Sequence, residues 1–246
     1  YGIRTRIQTL RKERQAKQQT EIAQRLGQEI TNMDWLLRSA RQIPLHDLGR
    51  EKAIMRKRMA QLQTELAGYG ELSRGLGHYA LGRGHMALHE YPDALAQLQS
   101  SIDYGNDRAE VHYALGFVLG KHYEQAMREA RLAGGGDWAK KQLKEIEPRY
   151  LLPAIASLQR AREMKLDAPQ YLEGLIAYYK GEYEAALKNA QAALSDAPWL
   201  YEASQLIGDV HLQQGIAAMD SAKFDIAEKE LGAAVKGYED AVRIGQ

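Results

Sequence analysis

The chain has 246 residues, 45% of them hydrophobic and 26% charged, with six prolines and no cysteine. Such a composition is ordinary for a globular protein, and the missing cysteines exclude a disulfide framework or a thiolate zinc site. The scarcity of proline and the abundance of Ala, Leu, Gln, Glu, Lys and Arg, side chains that lose little rotamer freedom in a helix, predict an all-α fold. No run approaches the roughly 18–20 apolar residues of a membrane-spanning helix. The net charge of +1 hides an asymmetry. Residues 1–60 carry 14 Lys/Arg against 6 Asp/Glu, and the remainder carries 19 against 26. A basic front end on a mildly acidic body marks two segments with different surroundings and implies no long basic groove for nucleic acid.

The first predicted element is a long helix over residues 3–42, free of proline, with a stripe of Ile22, Leu26, Ile30, Met33, Leu37 and Ala40 at three- and four-residue spacing. Its first part, Arg11 to Gln19, is polar on every side, and such a helix needs a partner or a connecting role to persist. Pro44 ends it. A second helix is expected from about Leu48 to Leu66, with Ile54, Met55, Met59, Leu62 and Leu66 as its apolar face, closing at Gly68-Tyr69-Gly70. Residues 1–68 thus read as a basic helical hairpin that docks on the first helices of a second domain.

Residues 69–246 read as that domain, built of repeats. His78-Tyr79-Ala80-Leu81-Gly82 recurs 34 residues later as His112-Tyr113-Ala114-Leu115-Gly116, and Gly174 and Gly208 are also 34 apart. Thirty-four is the period of the tetratricopeptide repeat (TPR), whose signature of small and large residues has a steric origin. Gly and Ala let two antiparallel helices approach, Tyr and Leu fill the wedge between them, and the next repeat buries the apolar face left over. Tyr91, Ala94, Leu98 and Ser101 supply the second helix after Gly82, and Tyr183, Ala186, Ala190 and Ala193 supply it after Gly174, with Pro198 closing the unit. Two intervals depart from the period. Gly116 to Gly174 is 58 residues, which places an insertion at about 130–150 around Gly134-Gly135-Gly136-Asp137-Trp138, before a helix restarts at Pro153-Ala154. Ala186 to Ala227 is 41, so the fourth repeat's first helix is expected to be two turns longer. The expected fold is a TPR-type helical-hairpin solenoid preceded by the N-terminal hairpin.

Three runs carry a more specific resemblance: Ala23-Gln24-Arg25-Leu26-Gly27-Gln28-Glu29-Ile30, Ile43-Pro44-Leu45-His46-Asp47, and Gly77 to Gly84. Over roughly residues 1–130 the chain resembles the C-terminal TPR region of bacterial transmembrane Ser/Thr protein kinases. The resemblance implies a sensor region that comes after a cytoplasmic kinase domain and one membrane helix, with Tyr1-Gly2-Ile3 just beyond the membrane and the basic helix as a juxtamembrane segment. It implies the periplasmic side. The cluster Arg4, Arg6, Arg11, Lys12, Arg14 and Lys17 argues for the cytoplasmic alternative, because positive segments usually stay inside. No Asp-Phe-Gly or His-Arg-Asp occurs, so this stretch is not the catalytic part of a kinase, and neither an enzyme nor a cofactor is expected.

The expected activity is recognition of a protein or peptide. The first helix of each TPR pair lines the concave face, and the glycine register points Tyr79, Arg83 and Met86 inward in the first repeat and Tyr113, Phe117 and Lys121 in the second. The third repeat contributes Tyr171, Leu175, Tyr178 and Tyr179, and the fourth Gln205, Asp209 and Leu212. Aromatic groups among a few charges suit the anchoring of an extended or helical segment. About half of these tyrosines are expected to pack between repeats instead. The N-terminal helix offers a homodimer contact, and the adjacent membrane is a second partner if the kinase resemblance holds. His85 and His89, four apart on one predicted helical face, have the spacing of a metal pair but lack a third ligand and an intervening base, so no metal is expected. A cytoplasmic TPR adaptor is the alternative to the kinase sensor.

Overall fold

The structure is a computed structural model, and it describes residues 14, 17, 20–22, 24–29, 31–32, 49–68, 70–132, 141 and 144–245. The predicted Ile30, Met33, Leu37 and Ala40 positions and the Gly134–Trp138 insertion lie outside these residues. The described regular elements are helical throughout. They form two compact units, one reaching Val118 and one starting at Leu119, with the division falling inside a single helix, Ala109–Leu132.

The first unit contains α1 (Gly49–Leu66), α2 (Glu71–Ala87) and α3 (Tyr91–Asp103), and then the start of α4 (Ala109–Leu132). Helical residues 24–29 lie ahead of α1, and Leu26 joins Met55, Met59, Leu62, Leu66, Ala80, Leu81 and Leu88 in one buried cluster. Arg25 forms an ion pair with Glu65 beside it. Of the predicted hairpin stripe, Leu26, Met55, Met59, Leu62 and Leu66 are buried, Ile22 is partly buried against them, and Ile54 turns outward, 39% exposed.

Helix α2 packs closely on both sides because its glycines come in two pairs. Consecutive residues advance by about 100° on a helix, so positions two apart face nearly opposite ways and positions seven apart share a face. A Cβ on Gly75 would lie 2.9 Å from the Asn106 Cβ, and one on Gly82 2.8 Å from the Leu98 Cγ. Cβ atoms on Gly77 and Gly84 would instead strike Leu66 and Met59 of α1. The glycine-rich segment is a packing device, not a phosphate loop. Where the α3 side closes, the Gly75 carbonyl accepts hydrogen bonds from Ser101 Oγ (2.7 Å) and Asn106 Nδ2 (3.4 Å), which satisfies buried polar groups.

The second unit holds the rest of α4, then α5 (Leu152–Arg160), α6 (Pro169–Tyr179), α7 (Tyr183–Asp196), α8 (Tyr201–Asp220) and α9 (Phe224–Gly245). α6 and α7 pair antiparallel, as do α8 and α9. The helix before Pro153 begins earlier than the sequence predicts. Residues 144–146 are helical, and a π-helical turn Glu147–Leu151 carries the chain into α5. The Leu152 N–H donates five residues back to the Glu147 carbonyl, immediately before a proline that has no N–H to donate.

Three helix pairs close with the same turn. His89, Gly181 and Ala222 have φ of 59°, 75° and 55°, and each stands two residues before the second helix of its pair. The next residue donates its N–H five residues back: Glu90 to His85 O, Glu182 to Ala177 O, Lys223 to Ala218 O. This is the left-handed C-terminal closure of a helix, with the leftover carbonyls satisfied by the turn. Counting seven residues back from each turn gives Gly82, Gly174 and Gly215. Gly82 and Gly215 sit tightly against Leu98 and Leu231 of the second helix of their own pair, whereas Gly174 is nearest Leu206 of α8 and only in ordinary contact with Ala186 and Ala190. The fourth-repeat counterpart of Gly174 is therefore Gly215. Gly208 matches the 34-residue offset because α8 is 20 residues long against 11 for α6, and Gly208 meets a different partner, Tyr238.

Only glycine adopts positive φ without a steric cost, which for other residues is about 1–2 kcal/mol. Ala222→Gly is therefore expected to raise stability by about 1 kcal/mol, and Gly181→Ala, whose Cβ would meet nothing within 4 Å, to lower it by a similar amount. Paired thermal melts should move in opposite directions; parallel shifts would contradict this account of the turn.

Candidate functional site

A cleft of about 360 Å³ opens within the second unit. One wall is the last part of α4, which presents Glu124, Met127, Arg128 and Arg131 at helical spacing; the facing wall is α8, with Asp209, Leu212, Gln213 and Ile216. Between them α6 ends in Tyr178 and Tyr179, and Tyr183 opens α7 just beyond the turn. Helix α6 is buried almost all round, which is why two consecutive tyrosines can both be held there. Tyr179 lies directly over Gly120, where its ring leaves no room for a Cβ.

The polar atoms are organised around two carboxylates. Glu124 accepts from Lys121 Nζ at 2.8 Å and from the Tyr179 hydroxyl at 3.3 Å. Asp209 accepts from the Tyr238 hydroxyl at 2.8 Å. Tyr238 belongs to α9 and reaches Asp209 across Gly208, where a Cβ would lie 2.7 Å from its ring. The rings of Tyr178 and Tyr179 meet edge to face at 5.1 Å, and Tyr178 and Tyr183 are tilted at 6.3 Å. Burial is the main cause that pushes the Tyr178 and Tyr179 phenols up, with Glu124 and Asp209 adding to it, so both stay protonated across the working range of proteins. Burial also pushes the Asp209 carboxyl above its ordinary 3.8, with Lys121 opposing and Glu124 reinforcing.

Of the residues singled out by sequence, Tyr178, Tyr179, Asp209 and Leu212 line this cleft, and Lys121 is tied to its Glu124. Tyr171 and Leu175 are buried at 6% and 5% exposure and do not line it. Tyr79, Arg83, Met86, Tyr113 and Phe117 belong to the first unit, all partly buried, and there Arg83 donates to the Tyr79 hydroxyl at 3.2 Å. Glu124, Arg128, Arg131, Tyr183 and Tyr238 are not among the sequence candidates. A 34-residue period turns the chain near Tyr123, seven residues after Gly116, whereas α4 continues to Leu132. The signal was present in the spacing of Phe117, Lys121, Glu124, Arg128 and Arg131, one uninterrupted helical stripe.

The two histidines with metal-pair spacing do not share a helical face, since α2 ends at Ala87 and His89 lies in the left-handed turn. Among the described residues His85, Glu90 and Asp93 do bring donor atoms within 4.8 Å of one another. Glu90 is already engaged there, by His85 Nδ1 at 2.9 Å and by Arg56 Nε and Nη2 at 3.0 and 2.7 Å. Burial alone would push its carboxyl up, but Arg56 and His85 together hold it below the usual value. The group is a structural ion pair between α1 and the α2–α3 turn.

The helix pairs and their common closing turn make the described residues an all-α array of TPR-like helix pairs. No family model matches the chain, and no curated protein matches it. Among solved structures the chain is similar to the crystal structure of MamA, at 20% identity, covering 82% of this chain and 98% of that chain with a TM-score of 0.41. The class rests on the helix pairs themselves. No helix of the described residues is long and apolar enough to cross a membrane.

The raised Asp209 carboxyl gives a signed expectation. A folded state that raises an acid's pKa binds the proton more tightly than the unfolded chain, so stability falls as pH rises through the folded value. Asp209→Asn keeps an acceptor for Tyr238 and removes the buried charge. At pH 7 the variant should melt higher than the parent, and the difference should vanish as pH falls below 3.8, the ordinary Asp value. A gap between the two melts that does not change with pH would contradict the assignment.

Proposed function

We propose that the chain is a non-catalytic protein-interaction module whose second-unit cleft holds a segment of a partner protein. The observation that carries this reading is the cleft's composition: a tyrosine wall formed by Tyr178, Tyr179 and Tyr183, with charged groups on both flanking helices. Tyrosines give large rigid contact area at small entropic cost, and a few charges fix register. Protonated phenols and carboxylates held by hydrogen bonds serve recognition better than proton transfer.

Panning a random peptide library against the 246-residue chain tests it. Recovered peptides should share a motif and lose about 30-fold in affinity on Tyr183→Ala, the loss of an anchoring contact worth about 2 kcal/mol. Peptides that bind the variant as well as the parent would place recognition elsewhere.

The finer reading is the sensor region of a bacterial transmembrane Ser/Thr kinase, with residues 1–68 as a basic juxtamembrane hairpin and 69–246 as the repeat body. It is supported by the sequence resemblance over roughly residues 1–130, while the positive charge of residues 1–60 favours the cytoplasmic side. In this reading the segment sits on the periplasmic side, pairs with a second copy through its N-terminal helix, and relays occupancy of the repeats to the kinase. Reporter fusions at both ends of the full-length protein test the topology. A repeat end outside and a kinase end inside are expected, and both ends inside would replace the sensor by a cytoplasmic adaptor.

A further inference from the structure

The cleft's charges are unevenly layered. Its floor carries two carboxylates, Glu124 and Asp209, against one ammonium, Lys121, which Glu124 holds at 2.8 Å. Arg128, Arg131 and Lys180 are exposed at the rim, together with the carboxylate of Glu147. Next to burial, the groups that act on the Tyr178, Tyr179 and Tyr238 hydroxyls include both Glu124 and Asp209, and no cation is among them. The Tyr178 and Tyr179 end of the tyrosine wall thus faces two carboxylates, while Tyr183 faces Arg131 and the rim is net positive.

A carboxylate in a covered site is costly and a cation offsets it; Lys121 and Arg128 do so only in part for Asp209, whose carboxyl stays above its ordinary value. Tyrosine rings attract cations electrostatically through their faces, by about 0.5–1 kcal/mol at exposed sites and more when water is excluded. Both features ask for the same ligand group. Resting on the reading of the cleft as a peptide site, we propose that it takes a cationic side chain of the partner segment, guanidinium or primary ammonium, seated against the tyrosine wall beside Glu124 and Asp209. The positive rim then favours acidic residues beside that basic anchor, so the recognised segment carries a basic side chain flanked by acids.

The test uses three capped tripeptides, Gly-Arg-Gly, Gly-citrulline-Gly and Gly-Glu-Gly, titrated into the whole chain with methyl NMR of Met127 and Ile216 as readout. Citrulline matches arginine in shape and lacks its charge. The arginine peptide should shift these methyls and bind at least about fivefold more tightly than the citrulline peptide, the ratio that about 1 kcal/mol of cation–π attraction gives. Asp209→Asn should reduce that ratio. Equal binding of arginine and citrulline, or tighter binding of the glutamate peptide, would overturn the cationic anchor and leave the peptide cleft standing. Methyl signals unmoved by all three would remove the cleft itself as a peptide site.

Discussion

Helices approach most closely where one of them gives up its side chain, and this constraint shapes the packing around α2, α6 and α8. Gly82 meets Leu98 and Gly215 meets Leu231 within their own pairs, and Gly174 meets Leu206 of the following helix, always seven residues before the turn that closes the pair. The crossing fixes the distance between paired helices, the turn fixes their direction, and the side chains between them need only fill what remains. In α2 the same device is used twice, so that one helix is approached from both sides.

Much of this was legible in the sequence because sterics leave a regular imprint. The 34-residue recurrence of the His-Tyr-Ala-Leu-Gly run, the small residues of the second helices, and the burial of Met55, Met59, Leu62 and Leu66 all come from periodicity. What periodicity misread was Gly208. A helix lengthened by two turns can place a glycine at the right offset for the wrong reason, and only its neighbour, Tyr238 rather than Leu231, tells the two apart.

The candidate site was legible in part, for a related reason. Tyr178 and Tyr179 lie on a first helix that keeps the repeat register, so counting from Gly174 reached them, whereas Asp209 was reached from Gly208, the glycine whose offset misleads. Glu124, Arg128 and Arg131 lie beyond the point where that register turns the chain, on a helix that continues instead. Tyr238 was out of reach altogether, since it comes from a second helix, and those are read as outward-facing. Its hydroxyl arrives at Asp209 through a gap that is defined by the absence of a side chain.

That gap bears on how freely such arrays can be cut and recombined. Repeat proteins are commonly treated as sets of interchangeable hairpins in which the first helices carry specificity and the second helices serve as scaffold. In this chain Gly208, Asp209 and Tyr238 form one triplet spread over both helices of a pair. A graft that transplants the α8 surface onto another hairpin would carry Asp209 without the phenol that orients it. The smallest portable unit that keeps this triplet together is the α8–α9 pair, taken whole.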